Sequence, residues 1–319
     1  MPSPLTQKIF DQARALGFDA VGIAAADDLE QDAHALSQWL DQGRNAGMTY
    51  MAREPHRRSR PKTVLPNAKS VIVLAMNYSQ EIPSGEGGGT AGRAPTTGRV
   101  SRYAWGRDYH PVIESRLSQL EAFIRDMAGA GTDCRSYVDH GPVLEKAFAR
   151  QAGIGFVGKN TLLITEAFGS WVFLSVILTT LELDPGPARI SECGSCHACL
   201  DACPTGALVA PYQLDANRCI SYLTIENKGT IPEALIPKLN GWVFGCDICQ
   251  EVCPYNARSK PTTTKEYRPD QGVGPWLDLK KVLEIASDQA FQVAFKGTPL
   301  LRPKRAGLQR NAKGLLGRG

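Results

Sequence analysis

The sequence predicts an α+β protein with three parts: an α/β-like N-terminal domain, a cysteine-rich domain and a short, basic, helical C-terminal tail. Helical and buried-strand patterns alternate through the first 188 residues, which predicts the first part. Eight of the nine cysteines fall between Cys193 and Cys253, which predicts the second. From Gln289 to Gly319 there are seven Lys/Arg and no acid, which marks the third. The expected boundaries are 1–188, 189–258 and 259–319. At roughly 100–200 residues per domain, the chain of 319 is long enough for two or three.

The first helix starts at Ser3, a good cap, with Pro4 in its first turn. Leu5, Ile9, Ala13 and Leu16 form its apolar stripe, and Gly17 ends it. A strand follows at 19–24. Residues 28–42 form a second helix with Leu29, Leu36, Trp39 and Leu40 inward. Residues 69–76 make a buried strand. Residues 79–98, with Gly-Glu-Gly-Gly-Gly, read as a flexible loop. Pro111 opens a long helix to about Met127, with Ile113, Leu117, Leu120, Ile124 and Met127 on one face. A strand at 133–138, a helix at 142–151 and a buried strand at 170–180 complete the domain. Asp184-Pro-Gly-Pro187 marks its end. Trp105, Trp171 and Trp242 are read as packing, and Cys134 as a small buried residue in a strand.

The cysteine spacing is Cys193-x2-Cys196-x2-Cys199-x3-Cys203-Pro204, then Cys219, then Cys246-x2-Cys249-x3-Cys253-Pro254. The first run is the bacterial ferredoxin pattern for a 4Fe-4S cluster, in which the fourth cysteine serves the other cluster. The second run lacks a nearby fourth thiolate, which Cys219 can supply. The expected ligand sets are therefore crosswise: Cys193, Cys196, Cys199 and Cys253 for cluster one, and Cys203, Cys219, Cys246 and Cys249 for cluster two. This makes the middle part a ferredoxin-like double-cluster domain built for electron transfer. Two structural zinc sites are the bland alternative, but an x2, x2, x3-Pro run with an echo fits zinc spacing poorly. The odd cysteine count argues against a disulfide framework.

Composition narrows the class. With 43% hydrophobic and 21% charged residues, the chain is neither disordered nor collagen-like. Its longest apolar run, Trp171–Leu178 if Ser175 is tolerated, is far short of the ~20 residues a membrane helix needs. The first residues, Met-Pro-Ser-Pro-Leu-Thr-Gln-Lys, show neither the apolar stretch of a secretion signal nor twin arginines, so export is not expected. A cytoplasmic protein that does not enter a membrane is expected. The net charge of +4 is unevenly spread: the acid-free C-terminal segment leaves the rest of the chain net negative. A second basic cluster holds Arg53, Arg57, Arg58, Arg60 and Lys62. Such patches suit a polyanion, although a solvated basic face would look the same.

Gly153-Ile-Gly155-Phe-Val-Gly158 matches the dinucleotide fingerprint. That motif needs a strand before it and a helix after it, and here a helical pattern precedes it. Nicotinamide binding is not expected. Close approach of the backbone to another large cofactor is the favoured reading.

Several ordered segments carry a family resemblance. They are Ser101-Arg-Tyr-Ala-Trp-Gly-Arg-Asp-Tyr-His110, Val138-Asp-His-Gly-Pro-Val-Leu-Glu145, Gly155-Phe-Val-Gly-Lys-Asn-Thr-Leu-Leu-Ile164 and Trp242-Val-Phe-Gly-Cys-Asp-Ile-Cys-Gln-Glu-Val-Cys-Pro254. With the double-cluster cysteines in that order, the chain resembles epoxyqueuosine reductase from about residue 5 to residue 315. The resemblance implies an oxidoreductase whose N-terminal domain binds cobalamin, with cob(II)alamin as the resting form. It implies epoxyqueuosine as substrate, at wobble position 34 of tRNAs with GUN anticodons (Tyr, His, Asn and Asp). It also implies removal of the epoxide oxygen by two electrons and two protons. Family members often extend into HEAT-type helical repeats, and the chain departs from them by stopping soon after Lys304–Ala312. A low-potential electron donor and a monomeric state are expected.

The family's catalytic acid falls on Asp139, which makes it the expected proton donor. By residue type alone it fits a helix N-cap equally well. Arg58, Ser101, Tyr109, His110, Lys159 and Asn160 join Asp139 as expected cobalamin or substrate contacts by their places in the matched segments. Arg58 fits a phosphate contact as well, and His110 a capping or core histidine. Two other functions compete. A cobalamin-dependent reductive dehalogenase-like enzyme would generally carry a twin-arginine signal and has no use for a basic tail. A ferredoxin-type electron carrier leaves the residues before Cys193 unexplained.

Overall fold

In this computed structural model the described residues are 2–82, 96–129, 131–188 and 191–317. Most of the glycine-rich segment read as a flexible loop, residues 83–95, lies outside them. The chain forms two compact units. The first comprises Met1–Gly43, Thr49–Asn77 and Tyr109–Cys196; the second comprises Arg44–Met48, Tyr78–Asp108 and His197–Gly319.

In the first unit α1 (Pro4–Ala15) starts as expected: Ser3 Oγ accepts the Thr6 N–H at 3.4 Å. Ile9 and Ala13 are buried, but Thr6 takes the inward place expected for Leu5. β1 (Ala20–Ala25), α2 (Glu30–Asp41), two short helices α3 (Pro55–Ser59) and α4 (Pro61–Val64), and β2 (Ser70–Asn77) follow. β3 (Thr97–Val100) is in the second unit. The chain then returns through α5 (Tyr109–Ala128), β4 (Cys134–Tyr137), α6 (Glu145–Gln151), the hairpin β5 (Gly155–Val157) and β6 (Leu163–Thr165), and β7 (Val172–Thr179).

The main sheet runs β1-β2-β7-β4 with every pairing antiparallel, the α+β arrangement. β2 is buried at all eight positions, which is why it reads as an unbroken apolar run. Val71, Val73 and Ala75 join the core cluster containing Phe148 of α6. Alternation sends Ile72, Leu74 and Met76 to the other face, where Met76 Sδ lies 3.3 Å from Arg116 of α5. α5 begins two residues before Pro111, which tolerates this because its missing N–H has no partner in a first turn. Its buried stripe ends at Ile124; Met127, expected inward, lies on the last turn at 37% exposure. Cys134, expected to be buried, is half-buried.

The second unit contains α7 (Ala198–Ala202), the hairpin β8 (Leu208–Ala210) and β9 (Gln213–Leu214), α8 (Ile220–Ile225), β10 (Trp242–Phe244), α9 (Ile248–Glu251), β11 (Trp276–Asp278), α10 (Leu279–Glu284), α11 (Asp288–Ala294) and α12 (Lys304–Leu316). β3 is the middle strand between β10, parallel to it, and β11, antiparallel. The basic tail is helical, and it is also core. Leu308 and Ala312 of α12 pack with Trp105, Trp242, Phe244 and Phe291. Asn311, fully buried, donates to Thr224 O at 2.8 Å and Val243 O at 2.9 Å. Trp105, Trp171 and Trp242 are all buried, as expected of packing residues.

Candidate functional site

In the first unit, β4 ends at Tyr137 and the chain reverses at Asp139. Asp139 has φ +60, and His140 N–H donates back to Val138 O at 2.6 Å. A non-glycine residue in this region costs roughly 1–3 kcal/mol and persists only where its surroundings hold it. Here they do. Glu145 Oε1 accepts the Asp139 N–H at 2.8 Å, and Tyr109 Oη donates to Asp139 Oδ2 at 2.8 Å. Arg58 donates to Gly141 O at 3.3 Å and accepts at its own carbonyl from Leu144 N–H at 3.0 Å. Its other guanidinium arm donates to Tyr50 O at 2.9 Å. Because α6 starts at Glu145 with Leu144 at its cap, Asp139 is not a helix cap.

Tyr109 is clamped between two rings, His110 at 4.1 Å and Phe173 at 4.2 Å between centroids. His140 lies 6.0 Å from His110. Asp139 and His140 are exposed, so this aromatic floor presents an open carboxyl. Burial, and then the charge of Asp139, push the Glu145 carboxyl well above the usual carboxylate range. The exposed Asp139 carboxyl thus has a phenol donor on one side and, through its backbone N–H, the proton-retaining Glu145 carboxyl on the other.

Cys193 and Cys196 lie in the first unit; the other six clustered cysteines lie in the second. No disulfide joins any described cysteine. In the second unit the thiols of Cys203, Cys219, Cys246 and Cys249 act on one another. Burial first, then the neighbouring charges of Cys249 and Cys219, raise Cys246; burial, then Cys219 among others, raises Cys249. Cys219 is raised by burial and by Cys203. Cys203 is the exception: burial raises it, but backbone N–H groups at 205, 207 and 208 and the Thr205 hydroxyl outweigh that and lower it. One of them, Ala207 N–H, donates to Cys203 Sγ at 3.3 Å. These four half-buried thiols influence one another, and iron binding would displace the protons that burial holds on three of them, the exchange that thiolate ligation of a cluster requires.

Asp247 stands between Cys246 and Cys249 and is 2% exposed. It accepts from Ser101 Oγ at 2.6 Å, Arg102 N–H at 2.7 Å and Gln250 Nε2 at 3.2 Å. This buried carboxyl fixes the cysteine segment to the end of β3. Near the third motif, α6 precedes and the β5–β6 hairpin follows, so the glycines form no dinucleotide fingerprint. They are also not a cofactor cradle, which corrects the expectation. A Cβ at Gly155 would lie 2.3 Å from Ile164 O, and one at Gly153 2.4 Å from Pro187 O. At Gly153 and Gly155 the space that glycine clears is filled by the chain's own backbone, and at Gly158 by the Ile164 side chain.

A family model described as "4Fe-4S double cluster binding domain" matches residues 192–256, which hold all eight clustered cysteines. Another, described as "Epoxyqueuosine reductase QueG, DUF1730", matches residues 58–140. Over 312 residues the chain is 44% identical to the epoxyqueuosine reductase of Pseudomonas aeruginosa, covering 97% of this chain and 83% of that protein. The chain belongs to the epoxyqueuosine reductase family. The epoxyqueuosine reductase of Gloeobacter violaceus is 42% identical over 323 residues, covering 99% and 97%. An epoxyqueuosine reductase solved with an epoxyqueuosine-modified tRNA-Tyr stem loop superposes with a TM-score of 0.89 at 34% identity, over 98% of this chain and 80% of that one. The Bacillus subtilis epoxyqueuosine reductase, solved with an aspartate-bearing catalytic loop swung out of its active site, gives 0.87 at 34% identity, over 98% and 81%.

As a member of the epoxyqueuosine reductase family, the chain is an oxidoreductase with a double-cluster iron-sulfur domain. Of the residues singled out from sequence, Arg58, Tyr109, His110 and Asp139 converge around the turn at Asp139. Asn160 is on the β5–β6 hairpin, 4% exposed, with its Nδ2 buried and without a partner. Lys159, its neighbour, uses its ammonium on Gly194 O and Cys196 O. Ser101, in the second unit, gives its hydroxyl to Asp247. Sequence reasoning missed the roles of Glu145, Lys146 and Asp247. Lys146 donates to Thr161 O at 2.8 Å and feels the charges of Asp139 and Glu145.

Much of the basic charge is already used internally. Arg302 pairs with Glu226 at 2.7 Å and Arg305 with Asp288 at 2.7 Å. Arg310 donates to the carbonyls of Leu223, Asn227 and Gly229. In the second basic cluster Arg57 pairs with Glu54 at 3.1 Å and Arg60 with Asp28 at 3.5 Å. Among the described residues, no helix is long and apolar enough to cross a membrane.

Proposed function

We propose that this chain removes the epoxide oxygen of epoxyqueuosine at position 34 of GUN-anticodon tRNAs, using cobalamin and two 4Fe-4S clusters, with Asp139 as proton donor. The observation that carries the reading is the strained turn that holds the Asp139 carboxyl in the open between Tyr109 and Glu145. The stem-loop complex of a relative supports tRNA as substrate, and the catalytic aspartate loop described for the Bacillus subtilis enzyme supports a working role for this turn.

The overall change is epoxide plus two electrons and two protons giving an alkene and water. Cluster one takes Cys193, Cys196, Cys199 and Cys253; cluster two takes Cys203, Cys219, Cys246 and Cys249. Each cluster exchanges one electron, so the pair can carry the two that the reaction needs, supplied by an external low-potential donor. The first unit suits cobalamin: Asn160 Nδ2 and Arg58 Nε are buried donors without partners, as a large polar group with many acceptors would require. His110 and Tyr109 give that group an aromatic wall. Cobalamin, when bound, supplies a low-potential cobalt centre able to reduce the epoxide. Asp139 delivers a proton to the oxygen that leaves, and Tyr109 orients its carboxyl. The working form is a cytoplasmic monomer.

Asp139→Asn keeps the shape and loses the proton. Turnover is expected to fall by about 10²–10⁴-fold, with cluster and cobalamin spectra unchanged. Near-normal turnover with intact cofactors would remove Asp139 from the mechanism.

A further inference from the structure

The tip of the β5–β6 hairpin is closed by Gly158 N–H to Leu162 O at 2.9 Å and Thr161 N–H to Gly158 O at 2.8 Å. Between them, Lys159 points toward the segment that carries the first two clustered cysteines. Its backbone N–H donates to Cys193 Sγ at 3.4 Å. Its ammonium donates to Gly194 O at 2.6 Å and to Cys196 O at 2.8 Å. One residue thus holds the Cys193–Cys196 segment at three points, the Cys193 sulfur, Gly194 O and Cys196 O. All of these contacts lie within the first unit.

We propose that Lys159 is a positioning residue for the cluster bound by Cys193 and Cys196, and that it raises the reduction potential of that cluster. The inference rests on the reading of these cysteines as iron-sulfur ligands. Its physical basis is twofold. A 4Fe-4S cluster gains one negative charge on reduction, and a fixed ammonium beside its ligand segment favours the more negative state. An N–H donor to a ligand sulfur acts in the same direction, because net charge and hydrogen bonds to sulfur set cluster potentials. The ammonium also draws the two carbonyl oxygens toward itself. Being partly solvated, it is screened, so the effect is a single decade and not several.

The test is an EPR-monitored redox titration of full-length, anaerobically reconstituted protein, with iron and sulfide assayed on each sample. Lys159→Met removes the charge and the ammonium hydrogen bonds; Lys159→Arg keeps both. The expected result is that one of the two cluster signals becomes about tenfold harder to reduce in Lys159→Met, a drop of about 59 mV for a one-electron couple. The other signal stays in place, and Lys159→Arg restores the first. Loss of one cluster's iron in Lys159→Met but not in Lys159→Arg equally supports the positioning role. Full iron with both midpoints unchanged would overturn it, and so would equal shifts of both clusters. If circular dichroism shows Lys159→Met unfolded, Lys159→Gln enters the same titration under the same criteria. Wild-type protein that takes up no iron would instead overturn the ligand reading itself.

Discussion

At Asp139, the carboxyl proposed as proton donor is supported by side chains far apart in sequence or on opposite sides of one turn. Glu145 gives this turn a pH-dependent stability. Its folded-state carboxyl affinity is raised by burial and by Asp139, above its unfolded value of about 4.3. Folded protein therefore binds more protons there than unfolded protein as pH rises past that value. Stability from this group is fully present below it and is lost as pH rises through the folded value. Glu145→Gln, which can still accept the Asp139 N–H, is expected to flatten the fall in Tm between acid and neutral pH. Thermal melts of the two proteins across that range check this; parallel curves would contradict it. Tyr109→Phe removes the hydrogen bond from Tyr109 Oη to Asp139 Oδ2, worth roughly 0.5–1.5 kcal/mol. Turnover should drop by up to about tenfold, with tRNA affinity little changed, as steady-state kinetics will show.

At the scale of elements, long local patterns were legible and short non-local ones were not. β2 and β7 were readable because continuous apolar runs announce buried strands, and α1 because cap, proline and glycine mark its ends. The sheet of β3, β10 and β11 was not, since its strands have three or four residues each and pair across more than a hundred positions. The eight cysteines were legible because cluster spacing is local. Asp247 was not, because its role comes from Ser101, 146 positions earlier. The C-terminal helix is the clearest case. Its lysines and arginines suggested a surface for a polyanion or a solvated basic face, yet Leu308, Asn311 and Ala312 are buried in the core of the second unit. Asn311→Leu would strand two buried carbonyls, at a cost of roughly 1–3 kcal/mol each. Denaturant unfolding of the cluster-loaded protein should show that loss.

For the whole molecule, the internal ion pairs change which charges the proposed tRNA substrate can meet. Arg302, Arg305 and Arg310 serve the fold, whereas Lys296, Lys304 and Lys313 make no ion pair among the described residues. Reversing Lys304 and Lys313 to Glu is expected to weaken stem-loop binding and flatten its salt dependence, because phosphate contacts release counterions. Arg310→Ala should instead lower stability. Titrations of stem-loop binding at several salt concentrations, run beside thermal melts, separate the two effects. The central claim, that two clusters, cobalamin and Asp139 together deoxygenate a tRNA nucleoside, is tested most directly by mass spectrometry of the nucleoside. Anaerobic, cluster-loaded protein would be incubated with a low-potential reductant and an anticodon stem loop bearing epoxyqueuosine, with and without cobalamin. Loss of one oxygen only when cobalamin is present is the predicted result; an intact epoxide, with cobalamin bound and both clusters reduced, would contradict it.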